Sequence, residues 1–326
     1  MRPPNNPSHD TEIEGALVSK ILWLLSGMTL SLAACAATAT HLKFAHAQEV
    51  GLQFGAYIGI LIAVRVYARW RGLNDARLRL CIDIAATFAL NALGDLVLQY
   101  SAATLAAPDL TAWVQRADHA LGFDWFDYAH GVAGVAPVCL TLMYCYGGWT
   151  GGMVAAMAAL ALARRFDAIG EFAIGFSLTC LSIIAVFALI DARSLESVAA
   201  YSLPGFHHPA GAGPGYLQTL TALRSGASRT FDLTHISPLI SFPSLHGATA
   251  LLLVAAVRGL GVWRYPFIAF NVLVLVSTLS EGGHNVTDVI AGAVVACAAI
   301  LAAGPIYRAL RLRAGAPRAA AALASA

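Results

Sequence analysis

An all-α, polytopic membrane fold is predicted by three observations. Of the 326 residues, 58% are hydrophobic and only 12% are charged, about half the charge of a soluble domain. The mean hydropathy is +0.69. Several apolar runs approach the roughly 17 to 25 residues with which a helix spans a bilayer. The net charge of +2 is too small to draw nucleic acid. Lys20 and Lys43 are the only lysines, so 18 of the 20 basic residues are arginines, mostly gathered in short hydrophilic joints. That distribution bears on topology.

Residues 1–20 are a polar, proline-containing segment without the basic start and cleavage pattern of a secretory leader, and none is expected to be removed. Nine apolar segments follow, at 21–40, 52–68, 80–98, 130–146, 149–163, 172–190, 245–258, 265–280 and 286–304. The first three form an N-terminal transmembrane block over 21–98. Residues 99–129 are an amphiphilic connection whose Leu121-Gly122-Phe123-Asp124-Trp125-Phe126 suits an interface, with Asp118, Asp124 and Trp125 positioning it against the core. The remaining segments form a membrane domain over 130–307. It contains a connection at 191–244 that is too polar to span, and a loop of this length is usually functional; it is expected to wall or cover a site. The basic, Ala-rich tail at 308–326 is expected to fray. The six cysteines lie in or beside apolar segments without pairing or metal spacing and read as small hydrophobes.

Orientation follows from the arginines. Arg258 and Arg264 flank the joint between segments seven and eight, and Arg308, Arg311, Arg313 and Arg318 follow segment nine; both places read as cytoplasmic. The opposite ends of these segments then face outward. Arg69, Arg71, Arg77, Arg79, Arg164 and Arg165 want the same cytoplasmic address, and nine simple crossings cannot give it to all of them. Either 99–129 holds a further membrane element or a short segment fails to cross.

Two polar motifs interrupt this apolar chain on the outward side. Phe242-Pro243-Ser244-Leu245-His246 opens segment seven and Gly282-Gly283-His284-Asn285-Val286-Thr287-Asp288 opens segment nine. Ionisable groups at the mouths of membrane helices mark function. His284 and Asp288 are four apart, on one face of a helix starting there. The carboxylate can hold one imidazole nitrogen and leave the other free as base or nucleophile. Gly282 and Gly283 allow close backbone approach to a ligand. Pro243 suits a first helical turn, and Ser244 sits where free N–H groups can hold an anion such as phosphate. His246, in the first turn, can protonate a leaving oxygen. The chemistry this fits is phosphoryl transfer through a phosphohistidine: His284 attacks, Asp288 orients it, His246 serves as acid and then base, and water or a second alcohol resolves the intermediate. The equatorial oxygens still need positive charge. Arg224 is the preferred source over Arg229 and Arg193.

These motifs, with the later Gly292, resemble the second and third signature motifs of the type 2 phosphatidic acid phosphatase (PAP2) superfamily. Their surroundings, and Leu121-Gly-Phe-Asp-Trp125, resemble its inositolphosphorylceramide-synthase-like branch. The resemblance covers residues 100–305. It implies a six-helix core preceded by about three added transmembrane helices. It also implies that His284 is nucleophile, Asp288 its orienter, His246 the acid and Ser244 a phosphate contact. The chain departs from the usual pattern in three places. Ser277-Thr278 stands where the third motif has Ser-Arg, the Lys and Arg-Pro of the first motif have no counterpart, and Leu245 replaces a glycine. These departures argue against an ordinary phosphomonoesterase and for rearranged phosphate or phosphodiester recognition.

The expected protein is therefore a multi-pass lipid phosphotransferase or phosphatase of a bacterial-type inner membrane, its site on the external, periplasmic face. Its substrate is a membrane phospholipid or lipid phosphate, with a lipid alcohol as acceptor in the transfer case. No cofactor and no metal are expected, and His207-His208 lacks a third ligand at convincing spacing. Two other classes compete: an ion-coupled transporter using Asp83 and Asp95, which lacks an internal repeat, and an intramembrane serine protease using Ser244 with a histidine.

Overall fold

The computed structural model describes residues 7–73, 75–133, 135–200 and 214–324. The helices are α1 (Pro7–Ala39), α2 (Ala47–Trp70), α3 (Ala76–Ala103), α4 (Thr111–Ala120), α5 (Trp125–Ala133), α6 (Ala136–Gly147) and α7 (Trp149–Leu162), followed by α8 (Phe166–Leu189), α9 (Leu195–Ala200), α10 (Pro214–Arg224), α11 (Leu245–Ala256), α12 (Arg264–Ser280) and α13 (Val286–Ala324). Among the described residues the strands are two three-residue pieces, β1 (Lys43–Ala45) and β2 (Thr230–Asp232), paired in parallel. Among the described residues the predicted apolar segments fall on helices, the fourth being divided between α5 and α6. Six helices are long and apolar enough to cross a membrane, or seven if α5 and α6 are one span bent by 106°. The chain is an all-α, multi-pass membrane protein.

Apolar periodicity has little to do here, because lipid replaces water around the bundle. Leu52, Ile60, Val66 and Trp70 of α2 and Leu301 of α13 are exposed, as lipid-facing side chains can be without loss. The core sits where α3, α7, α8, α11 and α13 meet, around Leu80, Met157, Phe166, Ile169, Leu253 and Tyr307. α1 packs along α3 and on α8, so the first block is joined to the rest rather than standing apart.

The arginine problem is resolved by segments four and five. Cys139 of α6 lies within electrostatic reach of Glu281 at the end of α12, Cys145 packs on Val274, and the Phe270 ring covers Gly148 and Gly152. α6 and α7 therefore both lie against α12, meeting at Gly148, and together carry the chain from the Glu281 end of α12 to the Arg165 end. There Arg165 packs over Gly259. Arg311 approaches Glu14 at 3.5 Å, and Gly15 meets Phe166 and Ala76. The clusters at 69–79, 164–165, 258–264 and 308–313 thus share one end of the bundle, and the two histidine motifs occupy the other.

Both termini differ from expectation. α1 begins at Pro7, inside the polar segment at 1–20, and α13 continues to Ala324 through the tail read as frayed; runs of alanine favour helix even without packing.

The carboxylates of α3 are tied into the helix packing. Asp83 is fully buried and accepts from Ser19 Oγ at 2.5 Å, Trp23 Nε1 at 3.2 Å and Arg65 Nη1 at 2.6 Å. The thiol of Cys180 donates to Asp95. These contacts fasten α1, α2 and α8 to α3. They give both acids a structural use that a transport path does not require.

Candidate active site

The motif at Ser244 is set by helix capping. α11 starts at Leu245 with Ser244 as its N-cap, and the Ser244 hydroxyl accepts from Gly247 N at 3.3 Å. Pro243 lies before the cap rather than in the first turn, and His246 is the second helical residue. At the start of any helix the first N–H groups lack intrahelical partners, so the α11 start presents donors beside His246.

The second motif arrives on a turn. Glu281 N and Gly282 N donate to Ser277 O, and His284 N donates to Thr278 O at 3.2 Å, which closes the chain back on the end of α12. His284 stands two residues before α13 begins, not within it. A Cβ on Gly282 would lie 2.6 Å from Thr278 O and 2.8 Å from His284 Cδ2. The glycine is required by the close packing of the histidine itself, which differs from the expected approach of a ligand.

His284 is buried, with Nδ1 2.8 Å from Ser241 O and 3.5 Å from Asp288 Oδ2. The nearest acceptor is thus a backbone carbonyl, and the carboxylate stands behind it. Asp288 Oδ2 also accepts from Asn285 N at 2.9 Å and Ser241 Oγ at 3.0 Å, while the Asp288 carbonyl accepts from Ser244 N at 3.0 Å. One residue therefore joins both motifs. Ser194 Oγ is hydrogen-bonded to Ser241 Oγ and Ser194 N donates to Tyr216 Oη at 3.0 Å. Ser194, Ser197 and Tyr216, from the long connection, line a cleft with Ser241, Gly282 and Gly283. That connection walls the site; its residues 201–213, including His207-His208, lie outside the described residues.

His246 is held by aromatic rings that the sequence reading did not select. Tyr146 of α6 stacks on it at 4.5 Å and 25°, and Trp149 of α7 meets it at 4.5 Å and 50°. Offset stacking of this kind fixes a ring plane. The break at Gly148 is what lets residues three apart present both rings. The His246 and His284 ring centroids are 6.5 Å apart, with no packed helix between their elements.

Arg224 has partners elsewhere. Its guanidinium donates to the carbonyls of Leu105 and Phe187, the latter at 2.9 Å, lies 4.9 Å from the Phe187 ring centroid, and approaches Asp191 at 3.8 Å. Phe187 O is one of the last carbonyls of α8 and Leu105 lies just past the end of α3, and the C-terminal carbonyls of a helix need donors and attract positive charge. Arg224 meets that need, so it clasps helix ends where a phosphate ligand was expected. Arg193 pairs with Asp191 at 2.6 Å, and Arg229 donates to Thr40 O at 2.6 Å. Among the described residues no partner of His246, His284, Asp288 or Ser244 is a cation, and no cluster of three metal-ligating side chains exists. A larger cavity, about 150 Å³, lies at the opposite, arginine-rich end, lined by Arg165, Asp167, Glu171 and Arg258.

Asp118 plays the positioning part expected of it. Fully buried on α4, it accepts from Val286 N at 3.0 Å, Thr287 N at 2.8 Å and the Thr287 hydroxyl. It caps the helix that carries Asp288. Trp125 is buried against Phe123, Tyr128 and Ala200, and Asp124 caps α5 through Phe126 N at 2.8 Å. Replacing Asp118 by alanine is expected to cost about 2 kcal/mol, read as earlier thermal unfolding in detergent, with asparagine recovering part of it. Unchanged unfolding in both variants would remove the capping role.

The family model of the PAP2 superfamily matches residues 112–302. Comparison with curated proteins and with solved structures gave no match.

Proposed function

Because the chain belongs to the PAP2 superfamily, whose members are membrane phosphatases and phosphotransferases, we propose that it cleaves a phospholipid or phosphodiester headgroup through a phosphohistidine on His284. The observation that carries this reading is the pair of histidine rings, 6.5 Å between centroids, beside the capped start of α11. Nδ1 of His284 faces Ser241 O and Asp288, which leaves Nε2 for phosphorus. As Nε2 attacks, the P–O bond to the leaving alcohol breaks and His246 gives that oxygen its proton. Water or a lipid alcohol then attacks the phosphohistidine, and His246 takes the proton back. Asp288 stabilises the positive ring during attack and holds Ser241. The α11 N–H groups, with the Ser244 hydroxyl hydrogen, receive the phosphoryl oxygens.

The shared arginine end reads as cytoplasmic, which puts the site on the external face of a bacterial-type inner membrane. The absence of the usual Ser-Arg from the third motif, together with the support that Asp118 gives α13, favours the inositolphosphorylceramide-synthase-like branch. Ser244 does not serve as a protease nucleophile in this reading, since its oxygen caps a helix in full burial.

Purified protein given phospholipid labelled in its phosphate, with and without a lipid alcohol, tests the reaction type. Label passing to the alcohol identifies a transferase, and label passing only to water a hydrolase. Label remaining on every donor offered would overturn the reading.

A further inference from the structure

Glu281 is the described ionisable group near the histidines that the mechanism leaves unused. It ends α12 three residues before His284 and is 4% exposed. Among the described residues its carboxylate has neither a hydrogen-bond nor an ion-pair partner. Burial pushes it up to about 7. Its surroundings are aromatic: Tyr128 and Tyr146 lie within electrostatic reach, and Tyr146 is the ring stacked on His246. A buried carboxylate without a partner is unfavourable unless a cation arrives.

The phosphate side of the site has the complementary deficit. Its donors are neutral, and Asp288 adds a second carboxylate behind His284. Two acids and no protein cation disfavour a phosphomonoester dianion. A headgroup that brings its own positive charge relieves both deficits at once, with its phosphate at the α11 start and its cation beside Glu281. Aromatic faces near that position add attraction for the same charge.

We infer that Glu281 receives the ammonium of an ammonium-bearing phosphodiester lipid, making it a specificity-determining residue of the site. The inference rests on the phosphotransfer reading and narrows its substrate class to zwitterionic lipids.

Binding and turnover separate the two. The full chain carrying His284→Ala is offered an equal mixture of phosphatidylethanolamine, phosphatidylglycerol and phosphatidic acid, and retained lipid is measured by native mass spectrometry. The ethanolamine lipid is expected to be enriched about tenfold, the scale of one modest interaction. Glu281→Gln in the same background is expected to bring retention to parity, and Glu281→Asp to keep the preference in part. Equal retention of the three lipids, or a preference that survives the glutamine variant, overturns the inference. If the ethanolamine lipid is retained through Glu281 but the chain with His284 intact transfers none of its phosphate, the phosphotransfer reading falls and the ammonium site stands.

Discussion

Replacing His284 by alanine is expected to lower phosphoryl transfer by about 10⁴-fold or more, on every substrate and with every leaving group. Its Nδ1 is already engaged by Ser241 O at 2.8 Å, so the proposed mechanism rests on Nε2 as the attacking atom. His246→Ala should behave differently. It is expected to lose about 10² to 10⁴ on a lipid alkoxide and to regain most of that on an aryl phosphodiester whose leaving oxygen needs no proton. Brief incubation with phosphate-labelled substrate should leave acid-labile, base-stable label on the His246→Ala protein and none on the His284→Ala protein. Full turnover by His284→Ala, or label retained by it, would withdraw the nucleophile assignment.

The bundle was legible because lipid imposes a length and composition rule on every spanning helix, and each apolar run became helix. What misled was counting. The runs at 130–146 and 149–163 read as two segments because Gly147-Gly148 breaks them, yet Phe270 and Val274 draw both along one face of α12. The histidine motifs were legible because polar residues in apolar chain are few. Their supports were not. Tyr146 and Trp149 are ordinary aromatics of a membrane helix until folding lays them on His246, and Ser194 and Ser241 reach Asp288 from separate stretches of chain. Arg224 shows the converse: proximity in sequence to a motif suggested a ligand, while its guanidinium bonds the end of α8 and the chain just past α3. Glu281 adjoined the glycine pair throughout, but only its burial without a partner gives it meaning.

The joining of the two motifs by backbone leads to the other large effect, at Gly292. This residue is one turn beyond Asp288, where α13 crosses the start of α11. A Cβ there would lie 2.3 Å from Ser244 O, 3.2 Å from Ser244 C and 3.4 Å from Ser244 N. All three are backbone atoms of the N-cap, so no side chain can swing aside. Gly292→Ala must push α11 from α13 by about an ångström, since carbon and oxygen otherwise rest near 3.5 Å. That shift lengthens the Ser244 N to Asp288 O bond, now 3.0 Å, and moves His246 relative to His284. Overpacking of this kind costs about 1 to 3 kcal/mol, and a 1 Å misplacement of reacting groups lowers rate about 10²-fold. Gly304→Ala on the same helix supplies the control, because a Cβ there meets Glu171 Oε1 at an ordinary 3.7 Å. The Gly292 variant is expected to unfold earlier in detergent and to lose about two orders of magnitude in turnover, with the Gly304 variant close to the parent chain in both. Equal behaviour of the two variants would show that the α11–α13 crossing does not hold the histidines in register, because the added methyl falls on the one backbone contact through which Ser244 and Asp288 are joined.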